Sequence, residues 1–125
     1  MAWYVDYYQK ENGEIPVFEF LRSLEPKLRA KTQSTIDLLE ACGTNLKEPY
    51  VAPIKGEKYK GLWELRVKFA SDITRVFYFM FKGNTFVLLH GFRKKTGRAP
   101  SGELDRAMRY KLDFERRNTD GQGKR

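Results

Sequence analysis

Two strand-like runs, Ile73 to Lys82 and Thr85 to Arg93, lie on either side of Gly83-Asn84, and no other feature limits the fold as much. Glycine and asparagine tolerate the positive φ angles of a tight hairpin, so the runs are predicted to pair antiparallel with Lys82 opposite Thr85. Successive side chains on a strand point to opposite faces, so this register also sorts the residues. Phe77 falls opposite His90 and Arg75 opposite Phe92 on one face, while Thr74, Val76, Tyr78, Leu89 and Arg93 fall on the other. A third run, Leu62 to Phe69, is joined to the hairpin by Ala70-Ser71-Asp72. A four-residue connection, Phe69 to Asp72, pairs Arg66 with Arg75. A three-residue one puts the two arginines on opposite faces, and spacing alone leaves both open.

The rest of the chain supplies cover for this sheet. Trp3 to Tyr8 is aromatic and β-rich and reads as a first strand. Pro16 and Pro26 each suit the first turn of a helix, where a missing N–H is not needed. Val17, Phe20, Leu21 and Leu24 follow the first proline at helical spacing, and Leu28, Ile36, Leu39 and Cys42 follow the second, with Gly43 placed to end that helix. The two make an expected helical hairpin. A further helix is predicted from Pro100 or Ser101, carrying Leu104, Met108 and Leu112 in one stripe. The expected architecture is an α+β fold: an antiparallel sheet of about four strands, an N-terminal helical hairpin and a C-terminal helix, with the helices on one face. Residues 1–115 form one domain, and 116–125, without an apolar side chain, are expected to be a basic disordered tail.

A chain of 125 residues can build one core, and with 41% hydrophobic residues it is too apolar to be disordered. The longest apolar run, Val76 to Phe81, is far too short to span a bilayer, and the opening residues lack a signal peptide's pattern. Cys42 is the only cysteine, which excludes a disulfide scaffold. A soluble cytoplasmic protein is expected.

Charge then narrows the function. The formal net charge is +8, and the segment from Lys55 to Arg98 accounts for all of it, with 11 basic residues against Glu57, Glu64 and Asp72. An excess focused in one segment draws polyanions such as RNA, DNA or acidic protein surfaces. Lys55, Lys58 and Lys60, interleaved with Tyr59, read as a strip for a phosphate backbone. Lys68, Arg93 and Lys94 extend the set of candidate RNA contacts. A solvated basic face is the plainer alternative.

Elimination sharpens this. The carboxylates of the basic segment show no metal-site spacing, and one histidine cannot build a His-dependent zinc site. No glycine-rich phosphate-binding fingerprint is present, so neither a metal nor a nucleotide cofactor is expected. Cys42 lies in a helical apolar stripe and reads as a packed thiol. RNA, however, can be cut without a metal, because its own 2′-hydroxyl attacks the adjacent phosphorus. The protein must then orient the attack, move two protons and neutralise charge on the transition state. Guanidinium suits the last task, being permanently charged and bidentate toward phosphate oxygens. Arg66 and Arg75 are candidates for it; on one face, their mutual repulsion would be offset by a scissile phosphate. The alternative is that each pairs with Glu64 or Asp72. His90 titrates near neutrality and is a candidate acid or base, though it also fits a core histidine within Phe86 to Phe92. Lys94 and Lys95, where the last strand ends, can reach phosphate.

Four segments, in order and spacing, resemble the HigB branch of the RelE-like toxins, the phage-derived host-toxicity group of type II toxin–antitoxin systems. They are Leu62-Trp63-Glu64-Leu65-Arg66-Val67, Thr74-Arg75-Val76-Phe77-Tyr78-Phe79, Leu88-Leu89-His90-Gly91-Phe92-Arg93-Lys94-Lys95-Thr96, and the helix with Glu103, Ala107 and Arg109. The resemblance covers nearly the whole chain. It implies a microbial-RNase-like fold and metal-independent mRNA cleavage, usually on the translating ribosome. It also implies a cognate HigA-like helix-turn-helix antitoxin as partner. By motif position, catalysis falls on Arg66, Arg75 and Lys94 or Lys95, and the register that brings the two arginines together is favoured. His90, Tyr78 and Tyr110 are open choices for acid and base. The rival expectations are a non-catalytic RNA- or ribosome-binding module and a scaffold for acidic proteins.

Overall fold

A computed structural model of the chain describes residues 2–94 and 99–119. The order is β1 (Tyr4–Tyr7), α1 (Pro16–Arg22), α2 (Pro26–Cys42), β2 (Val51–Pro53), β3 (Trp63–Phe69), β4 (Asp72–Phe81), β5 (Thr85–Lys94) and α3 (Ser101–Thr119). The strands form one mixed sheet in the order β1-β5-β4-β3-β2. Four of the five strands pair antiparallel, but β1 lies parallel to β5, with Tyr4 beside Thr85 and Tyr7 beside Leu88. The sheet therefore departs from the expected four antiparallel strands in two ways. β2 is a three-residue edge strand ending in Pro53, a length and composition that give little sequence signal. Parallel pairing of β1 is open to the chain because five other elements intervene before β5 and leave ample length for a crossover.

Both prolines stand at the first turn of their helices, as expected. The helices contact the sheet more extensively than they contact each other, so they are two separate covers for one sheet face rather than an independent hairpin. Their buried stripes, Val17 and Leu21 on α1 with Leu28, Ile36 and Leu39 on α2, meet Leu65, Val76, Tyr78, Phe86 and Leu88. Gly91 of β5 allows close contact there: a Cβ at that position would come within 2.4 Å of the Phe20 ring. Gly43, at φ 59°, closes α2 with its Cα against the Trp3 indole.

The expectation of helices on one face does not hold. α3 covers the opposite face, where Leu104, Ala107 and Phe114 pack on Leu62, Phe77, Phe79, Val87 and Leu89. The cause lies in β4, where every residue from Thr74 to Phe79 is buried. A strand apolar on both sides must be covered on both sides. α3 also runs through Arg116 and Arg117 to Thr119, past the point where the sequence predicts a tail, because both arginines bind Asp113 and Arg117 reaches the Gln9 carbonyl.

The hairpin register is reached by an unexpected route. The β4–β5 loop has three residues, Lys82-Gly83-Asn84, with Lys82 at φ 57° and Gly83 at φ 77°, and Phe81 rather than Lys82 stands opposite Thr85. This shifts the pairing by one residue. A bulge between Phe77 and Tyr78 shifts it back, so that Phe77 faces His90 and Arg75 faces Phe92 as predicted. The extra residue is Leu89, which therefore joins the Phe77 face and not the Tyr78 face. On the other side, Arg66 pairs directly with Arg75 and Lys68 with Ile73.

Candidate functional site

Arg66 and Arg75 stand side by side on the α3 face, beside the first turns of that helix. Two like charges directly opposite on neighbouring strands repel. Glu64, two residues before Arg66 on the same face, resolves this. Its carboxylate is only 2% exposed and accepts hydrogen bonds from Arg66 Nε at 2.5 Å and from Arg75 Nη1 at 3.0 and 3.2 Å. The expected need for a phosphate to offset the arginines is thus corrected: the chain supplies its own anion. One carboxylate against two guanidiniums still leaves a net positive charge, and the desolvated setting strengthens it. The two arginines differ in freedom. Arg75 is 5% exposed and held within the sheet, whereas the Arg66 side chain is 41% exposed and engages Glu64 through Nε alone.

This cluster forms one wall of a groove of about 630 Å³, completed by Lys55, Tyr59, Ile73 and Ser101. Lys55 and Tyr59 come from the loop between β2 and β3, and Ser101 from the first turn of α3. Tyr59 donates its phenol to Asp105 at 2.8 Å, and that bond is the first cause of its raised pKa. Lys94 pairs with Ile73 at the end of β5, which puts it on the groove face. Lys68 follows Arg66 on the same face of β3 and is exposed.

Other predicted residues lie elsewhere. Lys58 is at the rim, bound to Asp105 at 3.1 Å, and Lys60 is exposed in the same loop. Arg93 points to the opposite face, where it holds both Glu25 oxygens at 2.9 and 3.0 Å and also binds Asp72. Lys95 lies outside the described residues.

His90 shares the groove's sheet face but does not line it. It is 9% exposed beneath α3, between Phe77 and Tyr110, with Nε2 2.5 Å from Glu103 Oε1. Burial lowers its pKa, against the opposing pull of Glu103. With Glu103 ionised, a neutral imidazole must carry its hydrogen on Nε2. Of the other acid or base candidates, Tyr78 is buried on the α1–α2 face with its pKa raised by desolvation, and Tyr110 stacks on Tyr8 at 4.8 Å.

The alternative that the arginines pair with Glu64 or Asp72 holds for Glu64, which binds both at once; that it bridges the pair was not foreseen, although its spacing of two from Arg66 on a strand was a usable signal. Sequence reasoning also missed Ser101, whose place in the groove depends on how α3 docks. Among the described residues no group of three or more His, Cys, Asp or Glu side chains could hold a metal ion. None of the described helices is long and apolar enough to cross a membrane.

The family described as phage-derived protein Gp49-like matches residues 19–111, a span that begins in α1, ends in α3 and contains every residue of the groove. No curated protein matches the chain. Membership of that family, whose proteins are toxins of toxin–antitoxin systems in the RelE/HigB-like superfamily, implies an antitoxin partner. With the match covering most of its length and the whole of its candidate site, the chain belongs to the phage-derived Gp49-like family.

Proposed function

We propose that this chain is a HigB-like, metal-independent endoribonuclease that cleaves mRNA, on the translating ribosome, and so arrests translation until a helix-turn-helix antitoxin neutralises it. The observation that carries the reading is the paired Arg66 and Arg75 on rigid strands, at the wall of an open groove with Lys55 and Lys94 on the same side. Sites built on strands hold geometry better than sites on loops. In the reaction the 2′-oxygen attacks the adjacent phosphorus as it loses its proton. The bond to the 5′-oxygen breaks as that oxygen gains one, leaving a 2′,3′-cyclic phosphate and a 5′-hydroxyl. Negative charge grows on the non-bridging oxygens, and the two guanidiniums are aimed where it grows.

Glu64 holds both arginines in place before substrate arrives, so little reorganisation is left for the reaction itself. The phosphate then shares the pair with Glu64, through Arg66 above all, whose side chain is the more exposed. Lys55, Lys94 and Lys95 hold flanking phosphates. His90 acts by positioning, its contact with Glu103 tying the first turn of α3, and with it Ser101, to the sheet.

Brief induction of the isolated chain, followed by mapping of new 5′ ends on cellular mRNA, tests the proposal. New ends and growth arrest are expected with the native chain. Arg75→Ala should reduce both about a hundredfold or more, the usual loss when one transition-state donor is removed. RNA binding at low salt should weaken much less. Full toxicity of a folded Arg75→Ala variant would instead favour the non-catalytic ribosome-binding reading.

A further inference from the structure

Tyr59 places an aromatic ring on the groove wall beside cations that suit a phosphate chain. We propose that Tyr59 is the stacking platform for one unpaired nucleobase next to the phosphate held by Arg66 and Arg75, so that the groove takes single-stranded RNA. The inference rests on the endoribonuclease reading above and adds a base-binding subsite to it.

Three observations support this. First, the ring is held in advance. Its phenol oxygen donates to Asp105 Oδ1 at 2.8 Å, Lys58 Nζ binds the same Asp105 at 3.1 Å, and the ring packs against the Leu62–Phe79 cluster. Little side-chain freedom is left to lose when a base arrives. Second, the hydroxyl is committed to α3, so Tyr59 offers the groove ring surface without a hydrogen-bond code; the Lys58 ammonium lies over that ring, 5.6 Å from its centroid, on a side chain 69% exposed that gives way to an arriving base. Such a surface accepts any base, because every base has a π-face. Third, the ring comes from a short 3₁₀ turn, Glu57–Tyr59, between Gly56 at φ 108° and Gly61 at φ 90°. It therefore reaches the groove from the side opposite β5, across from Lys94. A base stacked on a side chain has left its own helical stack, so the subsite takes an unpaired nucleotide.

The alternative is that Tyr59 merely anchors its loop to α3. The two roles separate on substitution. Tyr59→Phe keeps the ring and loses the anchor bond, whereas Tyr59→Leu loses the ring. The full-length chain would be titrated with a 2′-O-methyl adenosine hexamer, which lacks the attacking hydroxyl, and with the same sugar–phosphate backbone carrying no bases. The native chain and Tyr59→Phe should bind the base-bearing hexamer roughly 5- to 150-fold more tightly than the abasic one, the worth of one stacked base. Tyr59→Leu should bind the two nearly alike, and at the affinity the native chain shows for the abasic strand.

Equal binding of both hexamers by the native chain overturns the subsite, as does a preference that survives in Tyr59→Leu. A loss in Tyr59→Phe as large as in Tyr59→Leu also overturns it and leaves the anchor role. Because this is a binding measurement, the subsite can fail while mapped 5′ ends still report cleavage. The cleavage reading fails separately, when induction of the native chain creates no new ends.

Discussion

The two faces of the sheet solve the same packing problem with different chemistry, although β4 serves both. Toward α1 and α2 it presents Thr74, Val76 and Tyr78; toward α3 it presents Arg75, Phe77 and Phe79. On the first face the buried polar contact is neutral: the Thr32 hydroxyl lies 3.1 Å from that of Thr74 and donates to the Leu28 carbonyl. The cavity there, about 390 Å³, is walled largely by Trp63, Tyr78, Met80 and Phe86. On the second face the buried polar groups include an ion pair, Glu64 with Arg75, and the His90 imidazole bound to the half-buried Glu103 carboxylate, and the groove is lined by charge. Buried charges are expensive unless paired, so a fold that needed only stability would have little reason to keep them. Damage to the first face should change how much folded protein exists. Damage to the second should also change how the protein responds to anions.

The largest effect expected from breaking this contrast comes at Glu64. Glu64→Gln removes the carboxylate while Arg75 stays buried, and stripping one partner from a buried pair costs about 3–5 kcal/mol. The test is denaturant unfolding with and without inorganic phosphate. Phosphate should raise the midpoint of Glu64→Gln by more than it raises that of the native chain, because it replaces the missing anion. An equal rise in both would mean that Glu64 does not share the arginines' anion site. Next in size is Leu39→Ala on α2, a side chain 1% exposed on the other face. It should lower stability by about 2–5 kcal/mol, and phosphate should shift its midpoint by no more than it shifts the native one.

The contrast between the faces was partly legible in the sequence. Six consecutive apolar residues, Val76 to Phe81, signal a strand covered on both sides, yet the helices were expected on one face. Pairing of Arg66 with Arg75 was one of two open registers, and the turn that selects it places Ala70 at φ 58°, which alanine does not advertise. The predicted register between Phe77 and His90 holds through two offsetting departures, a three-residue loop and a bulge at Leu89. Neither has a strong signature, since lysine is not a typical left-handed residue and Leu89 sits in an ordinary apolar run. The groove's cationic strand residues were readable because alternation is local. Tyr59 was readable only as part of the basic strip; its place on the groove wall, Ser101 and the Glu103 contact were not, because each depends on how an irregular loop or a distant helix docks.

The smallest expected effect is also the most specific to the ionic face. Burial holds the His90 pKa below its ordinary value of 6.5, with Glu103 pulling it up and Arg106 and Arg109 pushing it further down. The folded state therefore resists a proton that the unfolded chain accepts. Stability from this group is fully present above pH 6.5 and is lost as the pH falls from there toward the lowered folded value. Asp113, held at about 2 chiefly by Arg117 and Tyr8, titrates well below this window and does not obscure it. Unfolding midpoints measured between pH 7.5 and 5 should decline in the native chain and flatten in His90→Asn. Glu103→Gln, which removes the opposing carboxylate, should steepen the decline. A native profile that rises on acidification would mean that the contact prefers the imidazolium. His90 would then be a charged ion-pair partner, and the neutral positioning role assigned to it would be wrong.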